Sequence, residues 1–204
     1  MVAREETHPS TGAGTQPPDF RAAVESMQGA RLRPEIFCEE MPAPQRIAPY
    51  SSALSADVTV DDDEVGTGRI ILLHDPAGND AWEGTFRFVA YVRAEIDPEL
   101  ITDPMLGAVG WSWLTEALDA HHAEYTAPSG TVTRVATESY GSMSDDEGTA
   151  QVEIRASWTP TDVPVLAAHV EAWGELLCTA VGLAPVPEGV TVMPSRRGQR
   201  GANR

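Results

Sequence analysis

Thr85–Ile96 reads TFRFVAYVRAEI, and its twelve residues alternate without a break. Phe86, Phe88, Ala90, Val92, Ala94 and Ile96 fall on one side; Thr85, Arg87, Val89, Tyr91, Arg93 and Glu95 fall on the other. A period of two with one apolar side is the pattern of a strand that lays one face on a core. The segment is long enough to organise a sheet, and the fold follows from what flanks it.

Upstream, GRIILL (68–73) is short and apolar on both faces, which predicts a central strand. YSSALSADVTV (50–60) alternates, and RPEIFCEEM (33–41) is a further strand stopped by Pro42 and Pro44. The acidic run Asp61–Glu64 is the turn between two of them. Before the strands, Asp19 has the chemistry of an N-cap, and Phe20, Val24 and Met27 follow at helical spacing up to Gly29. Downstream, Asp103-Pro104 opens a helix over 103–121 with Leu106, Val109, Trp113, Leu114 and Leu118 as its apolar stripe. Strands over 131–140 and 150–158 follow, joined by a polar loop at 141–149. Asp162 and Pro164 start a last helix, striped by Leu166, Val170, Trp173, Leu177 and Val181 and ended by Gly182. The order α-β-β-β-β-α-β-β-α runs in meanders. It predicts an α+β fold, an antiparallel sheet of about six strands with three helices mainly on one face. Residues 1–18 read as a disordered tail, 19–193 as a single domain and 194–204 as a basic tail.

The chain has 204 residues and a formal charge of −17, and all its basic residues are Arg. Residues 18–193 hold nine Arg against 29 acids, a net −20. Such a body repels a phosphate backbone, which excludes direct duplex binding by it. The tail carries Arg196 and Arg197 among its basic residues and no acid, so any RNA contact is expected there. No apolar run reaches the ~20 residues of a membrane span, and the N-terminus has no secretory apolar region. Cys38 and Cys178 lack metal spacing and read as buried fillers in a reduced, cytoplasmic protein. No cofactor or metal is expected.

Candidate sites are few. The segment HDPAGNDAWEG (74–84) places His74, Asp75, Asn79, Asp80, Trp82 and Glu83 between two strands as a candidate ligand loop, with His74 and Asp75 as an acid–base pair. The competing reading is turn chemistry, with Trp82 packed beside Phe86 and Phe88. DDDEVG (61–66) fails as a calcium loop because Val65 and Leu72 stand at ligand positions. Ser112 in GWSW lacks the second Gly of a nucleophile elbow and sits inside a helix. Trp111 and Trp113 are two residues apart and point about 200° apart on a helix; with Trp113 on the core stripe, Trp111 and its neighbours on this helix are the candidate dimer or partner surface. His121-His122 suits a helix C-terminus, and His169 reads as a surface helix residue. Arg87 and Arg93 are candidate anion contacts beside Arg155, although Glu95 and Glu153 offer cross-strand pairs.

The segments FRAAVESMQGARLRPEI, ILLHDPAGNDAWEGTFRFVAYVRAEI, VGWSWLTEALDA, SGTVTRVATESYG, LAAHVEAWGELLCTAVGL and PSRRG resemble one actinobacterial family, the domain of unknown function three-thousand, over about residues 20–198. That resemblance implies no catalytic residues. Members often lie beside a ribonuclease D-like exonuclease gene, which implies a role in RNA metabolism acting with a nuclease. The element order is also similar to the secretion-chaperone-like fold, whose members are acidic, commonly dimeric and bind proteins. The expectation is therefore a non-enzymatic protein-binding adaptor, with another protein or a second copy as partner. The alternatives are an RNA-metabolism accessory factor and a small-ligand or enzyme site at 74–84.

Overall fold

The computed structural model describes residues 16–145 and 148–185. The elements are α1 (Pro18–Gln28), β1 (Ile36–Met41), β2 (Tyr50–Val60), β3 (Asp63–Asn79), β4 (Gly84–Glu95), a 3-10 turn at Pro98–Thr102, α2 (Leu106–Ala120), β5 (Tyr125–Thr137), β6 (Thr149–Pro160) and α3 (Leu166–Ala180). The six strands form one open sheet in the order β1-β2-β3-β4-β6-β5, and every pair is antiparallel. The α+β class and the element order are those the sequence predicts.

β4 lies inside the sheet, between β3 and β6. Its alternation divides the two faces. Phe86, Phe88, Ala90, Val92 and Ala94 are buried under the helices, while Arg93 and Glu95 are exposed on the helix-free face. α3 is the central helix: eleven of its fifteen residues are buried, because it packs against α1, α2 and the sheet. Gly68 permits that close approach. A Cβ there would lie 2.8 Å from Leu177 Cδ2, 2.9 Å from the Tyr91 carbonyl oxygen and 3.0 Å from the Trp173 ring.

Several boundaries differ from expectation; α2 starts at Leu106 instead of at Asp103, and β5 ends at Thr137 instead of at 140. β3 runs to Asn79 instead of stopping at 73, so much of the expected 74–84 loop is strand. His74 pairs with Tyr50 on one side and Phe86 on the other; beyond it β3 has no β2 partner and rejoins β4 at Asn79 opposite Gly84, so Asp75–Gly78 pass as an irregular, bulged stretch. The register shifts between His74 and Asn79, and the reversal is confined to residues 80–83, with Glu83 at φ 59°. The acidic turn narrows to Asp61-Asp62, both at positive φ as a tight hairpin requires. β5 starts at Tyr125, six residues early, and keeps its pairing past Pro128 through a bulge between Thr126 and Ser129. The expected disordered segment through residue 15 and the basic tail at 194–204 lie outside the described residues, as does most of the extended stretch after Gly182.

Candidate functional site

The register separates two ends of the sheet. The upper end carries His74, Phe86 and Trp158; the lower end carries Glu95, Gln151 and Thr137.

At the upper end, His74 is fully buried, stacked between Phe86 (centroids 4.1 Å apart) and Phe20 (5.8 Å). Its Nδ1–H donates to the Thr85 carbonyl at 3.1 Å. Its Nε2 makes no hydrogen bond and lies 3.4 Å from Asp19 Oδ2. Asp19 therefore does not cap α1; Pro17 holds the N-cap position, and Asp19 sits in the first turn facing the histidine. The remaining candidates of 74–84 do not converge on His74. Asp75 Oδ1 accepts from the Ala77 N–H and Asn79 Oδ1 from the Ala81 N–H, both at 3.0 Å, as turn-forming side chains do. Asp80 and Glu83 are exposed, and Trp82 is half-buried with its carbonyl accepting the Thr159 hydroxyl. Among the described residues, no three His, Cys, Asp or Glu side chains come together to hold a metal. The acid–base pairing of His74 with Asp75 is corrected: adjacent strand residues point to opposite faces, and His74 has no solvent access.

Arg87 is also corrected. It lies on the helix-free face as its parity requires, but it is buried. Nη1 donates to the Ala127 carbonyl (2.9 Å) and Thr159 Oγ1 (3.1 Å); Nη2 donates to Ser129 Oγ (3.1 Å) and Ser157 Oγ (2.7 Å). The guanidinium closes the space beside the β5 bulge and ties β4, β5 and β6 together. Burial lowers its pKa, and Glu83 partly offsets that. Its terminal donors are committed to this cluster, not to an external anion. Arg93 is exposed opposite Thr67 and Glu153. Arg155 lies over the Tyr91 ring at 5.0 Å and pairs with Glu153 at 3.2 Å. Arg196 and Arg197 lie outside the described residues.

His169, expected on a helix surface, is buried. Its Nδ1 accepts from Trp158 Nε1 at 3.1 Å, and burial pushes its pKa down to about 4. The ring is therefore neutral at pH 7. Cys38 is half-buried and Cys178 buried, both free, and burial pushes the Cys178 thiol up to about 12. Neither thiol has the electropositive, accessible setting of a nucleophile.

The lower end holds the feature that sequence reasoning missed. After β4 the chain turns through Pro98–Thr102 into α2, whose first turns overhang the sheet beside the end of α3. Between them is a cleft of about 420 Å³, in the size range of ligand pockets. Ile96, Leu100, Leu106, Val109, Trp113 and Val181 give it apolar walls. Asp97 and Asp103 form its polar rim, with Glu95 at the strand end, and among the described residues no basic one lines it. Leu100 is 48% exposed, Val109 39%, and the adjoining Met105 58%. The Asp97 and Asp103 carboxylates accept from the Glu99 and Met105 N–H groups, and Arg134 Nη1 donates to the Asp103 carbonyl at 3.0 Å, so the rim is held in place. The two tryptophans separate, both half-buried, but not as expected: Trp113, read as core, lines the cleft, and Trp111, read as the contact residue, packs against Gly130 of β5.

A family model described as protein of unknown function (DUF3000) matches residues 16–191. No curated protein and no solved structure matches the chain. Among the described residues, no helix is long and apolar enough to cross a membrane.

Proposed function

Because the chain belongs to the DUF3000 family, described only as of unknown function, its role has to come from its own geometry, and we propose that it is a non-enzymatic binding domain. In this reading the lower cleft takes an apolar side chain of a protein partner, and the acidic rim selects a neighbouring Arg or Lys on that partner. The observation that carries the proposal is the cluster of exposed Leu100, Met105 and Val109 around an acid-rimmed cleft. Large apolar side chains left in contact with water on three successive turns mark a contact surface. The carboxylates set orientation and association rate more than affinity. The titratable groups of the upper end support the same reading, since His74, His169 and Arg87 are all buried within the fold. The two free thiols fit a reducing, cytoplasmic compartment.

The test is selection of random peptides on the full chain, followed by fluorescence titration of the selected peptides. Peptides joining a large apolar residue to Arg or Lys are expected, with affinity lost in Val109→Asp and falling with salt. Peptides that bind Val109→Asp as well as the wild type would overturn the proposal.

A further inference from the structure

β5 is an edge strand of thirteen residues, and no described strand lies on its outer side. Its free backbone groups can be assigned from the register. The Ile96 N–H donates to the Ala150 carbonyl at 3.0 Å, and these residues are directly opposed when the β4–β6 register is extended by one pair. Hydrogen-bonded pairs recur at every second residue of an antiparallel ladder. Ala150, Val152, Ile154, Ala156 and Trp158 therefore turn their backbone groups to β4, and Gln151, Glu153, Arg155 and Ser157 turn theirs to β5. The Thr161 N–H bonding to the Glu124 carbonyl agrees with this parity. Opposite them, Thr131, Thr133 and Val135 face β6. Gly130, Val132, Arg134 and Ala136 then direct their N–H and C=O groups outward, away from the sheet.

The composition of this edge is unusual for the molecule. Tyr125–Thr137 contains no carboxylate and one cation, Arg134, in a chain of charge −17. Arg134 is itself drawn back onto the Asp103 carbonyl. Unpaired edges are ordinarily blunted by charge or brevity. The other edge, β1, has both: six residues, including exposed Glu39 and Glu40. Two bodies that repel each other through their acidic surfaces meet least resistance along β5.

We propose that β5 is the site at which a second copy of this chain adds, antiparallel and about a two-fold axis at Thr133, to make a continuous sheet. A second copy is the occupant that the charge pattern fits: an edge without carboxylates, whose one cation is turned onto the Asp103 carbonyl, can meet its own copy, whereas the acidic remainder of the surface repels itself. Centring on Thr133 is the register that engages all four outward residues, Gly130 with Ala136 and Val132 with Arg134 of the other copy, for about eight new backbone hydrogen bonds. It sets the two Arg134 side chains diagonally instead of directly opposite. It also makes Thr133 a non-hydrogen-bonded pair with its symmetry mate, with Cα atoms about 4.5 Å apart, inside the range that a disulfide spans.

The test uses the full chain with Cys38→Ser, combined with Thr133→Cys or with Thr131→Cys. Mild oxidation is expected to convert most of Thr133→Cys to a covalent dimer and to leave Thr131→Cys largely uncoupled, because residue 131 faces Val135 of the other copy. Sedimentation equilibrium of the unmodified protein is expected to show a dimer that tightens as salt is raised, through screening of like charge. Thr133→Glu should weaken it at least tenfold, while Leu100→Asp in the cleft should not. A monomer at 100 micromolar overturns the proposal, as does a dimer that Thr133→Glu leaves intact. A monomer whose Val132 and Arg134 amides resist exchange also overturns it, and shows that another part of the chain covers the edge.

Discussion

The two ends of the sheet divide the chemistry of this protein in opposite ways. The upper end gathers the polar side chains, and the fold encloses them: His74 is stacked among Phe20, Tyr50 and Phe86, His169 takes the Trp158 N–H, and Arg87 is ringed by three hydroxyls and a carbonyl. The lower end is apolar, and the fold leaves it open, with Leu100, Met105 and Val109 in contact with water. Titratable residues close in sequence suggest a reactive site. Here they hold an end of the sandwich closed, and the accessible surface is where the sequence is plainest. Burial, more than residue type, decides what a side chain can do.

The largest expected effect tests whether the upper end is enclosed. The folded-state pKa of His169 is depressed to about 4 by burial. The unfolded chain therefore binds a proton that the native state does not as pH falls from about 6.5 towards 4. The stability contributed by the neutral ring is fully present above pH 6.5 and is lost across that window, by roughly 3 kcal/mol. His169→Gln keeps an acceptor for Trp158 and removes the titration. Urea unfolding at pH 7.5, 5.5 and 4.5 should show a shallower loss in the variant, and equal slopes would mean that His169 is hydrated in the native state.

Next comes Arg87. Arg87→Ala removes four hydrogen bonds and leaves the Ala127 carbonyl without its donor beside the β5 bulge. The expected cost is about 2–3 kcal/mol in the urea midpoint at constant slope. A change under about 0.5 kcal/mol would return Arg87 to the exposed surface and reopen its reading as an anion contact. His74→Phe should have less effect, within about 1 kcal/mol. It gives up the Nδ1–Thr85 bond and also removes the buried Nε2 that has no hydrogen bond. A variant that fails to fold would show that the contact with Asp19 anchors α1.

The sheet was legible because twelve residues of β4 alternate and the neighbouring strands follow as meanders. Extension of β3 past 73 was not, since Asp75-Pro76 and Gly78 are turn formers and the pairing that carries the strand on, Asn79 with Gly84, resumes only after an irregular stretch. The early start of β5 was hidden by Pro128 and by the bulge between Thr126 and Ser129. The parity of Arg87 was correct and its burial was not readable, because its acceptors come from residues 127, 129, 157 and 159, some forty and seventy positions away. His169 shows the limit of a stripe: α3 is covered on three sides, so its polar side is buried as well. The cleft left one trace. Leu106, Val109 and Trp113 belong to the apolar stripe of α2, yet Leu114 and Leu118 are the members that enter the core, and the other three line the cleft. A stripe wider than its sheet leaves its first turn overhanging.

The smallest effect on stability is the one that distinguishes the ends most sharply. Leu100 and Val109 already meet solvent, so Leu100→Asp and Val109→Asp remove little buried area. Each should move the unfolding midpoint by no more than about 0.5 kcal/mol. The carboxylate they introduce stands at a cleft already rimmed by Asp97 and Asp103, where any apolar ligand must shed water to enter. Binding of an apolar, basic peptide is thus expected to fall at least tenfold while urea unfolding stays superimposable on the wild type. Arg87→Ala should do the reverse, unsettling the fold without changing affinity in the folded fraction. If the cleft variants unfold as readily as Arg87→Ala, the lower end is core in solution, and the open surface must be sought on the helix-free face around Arg93.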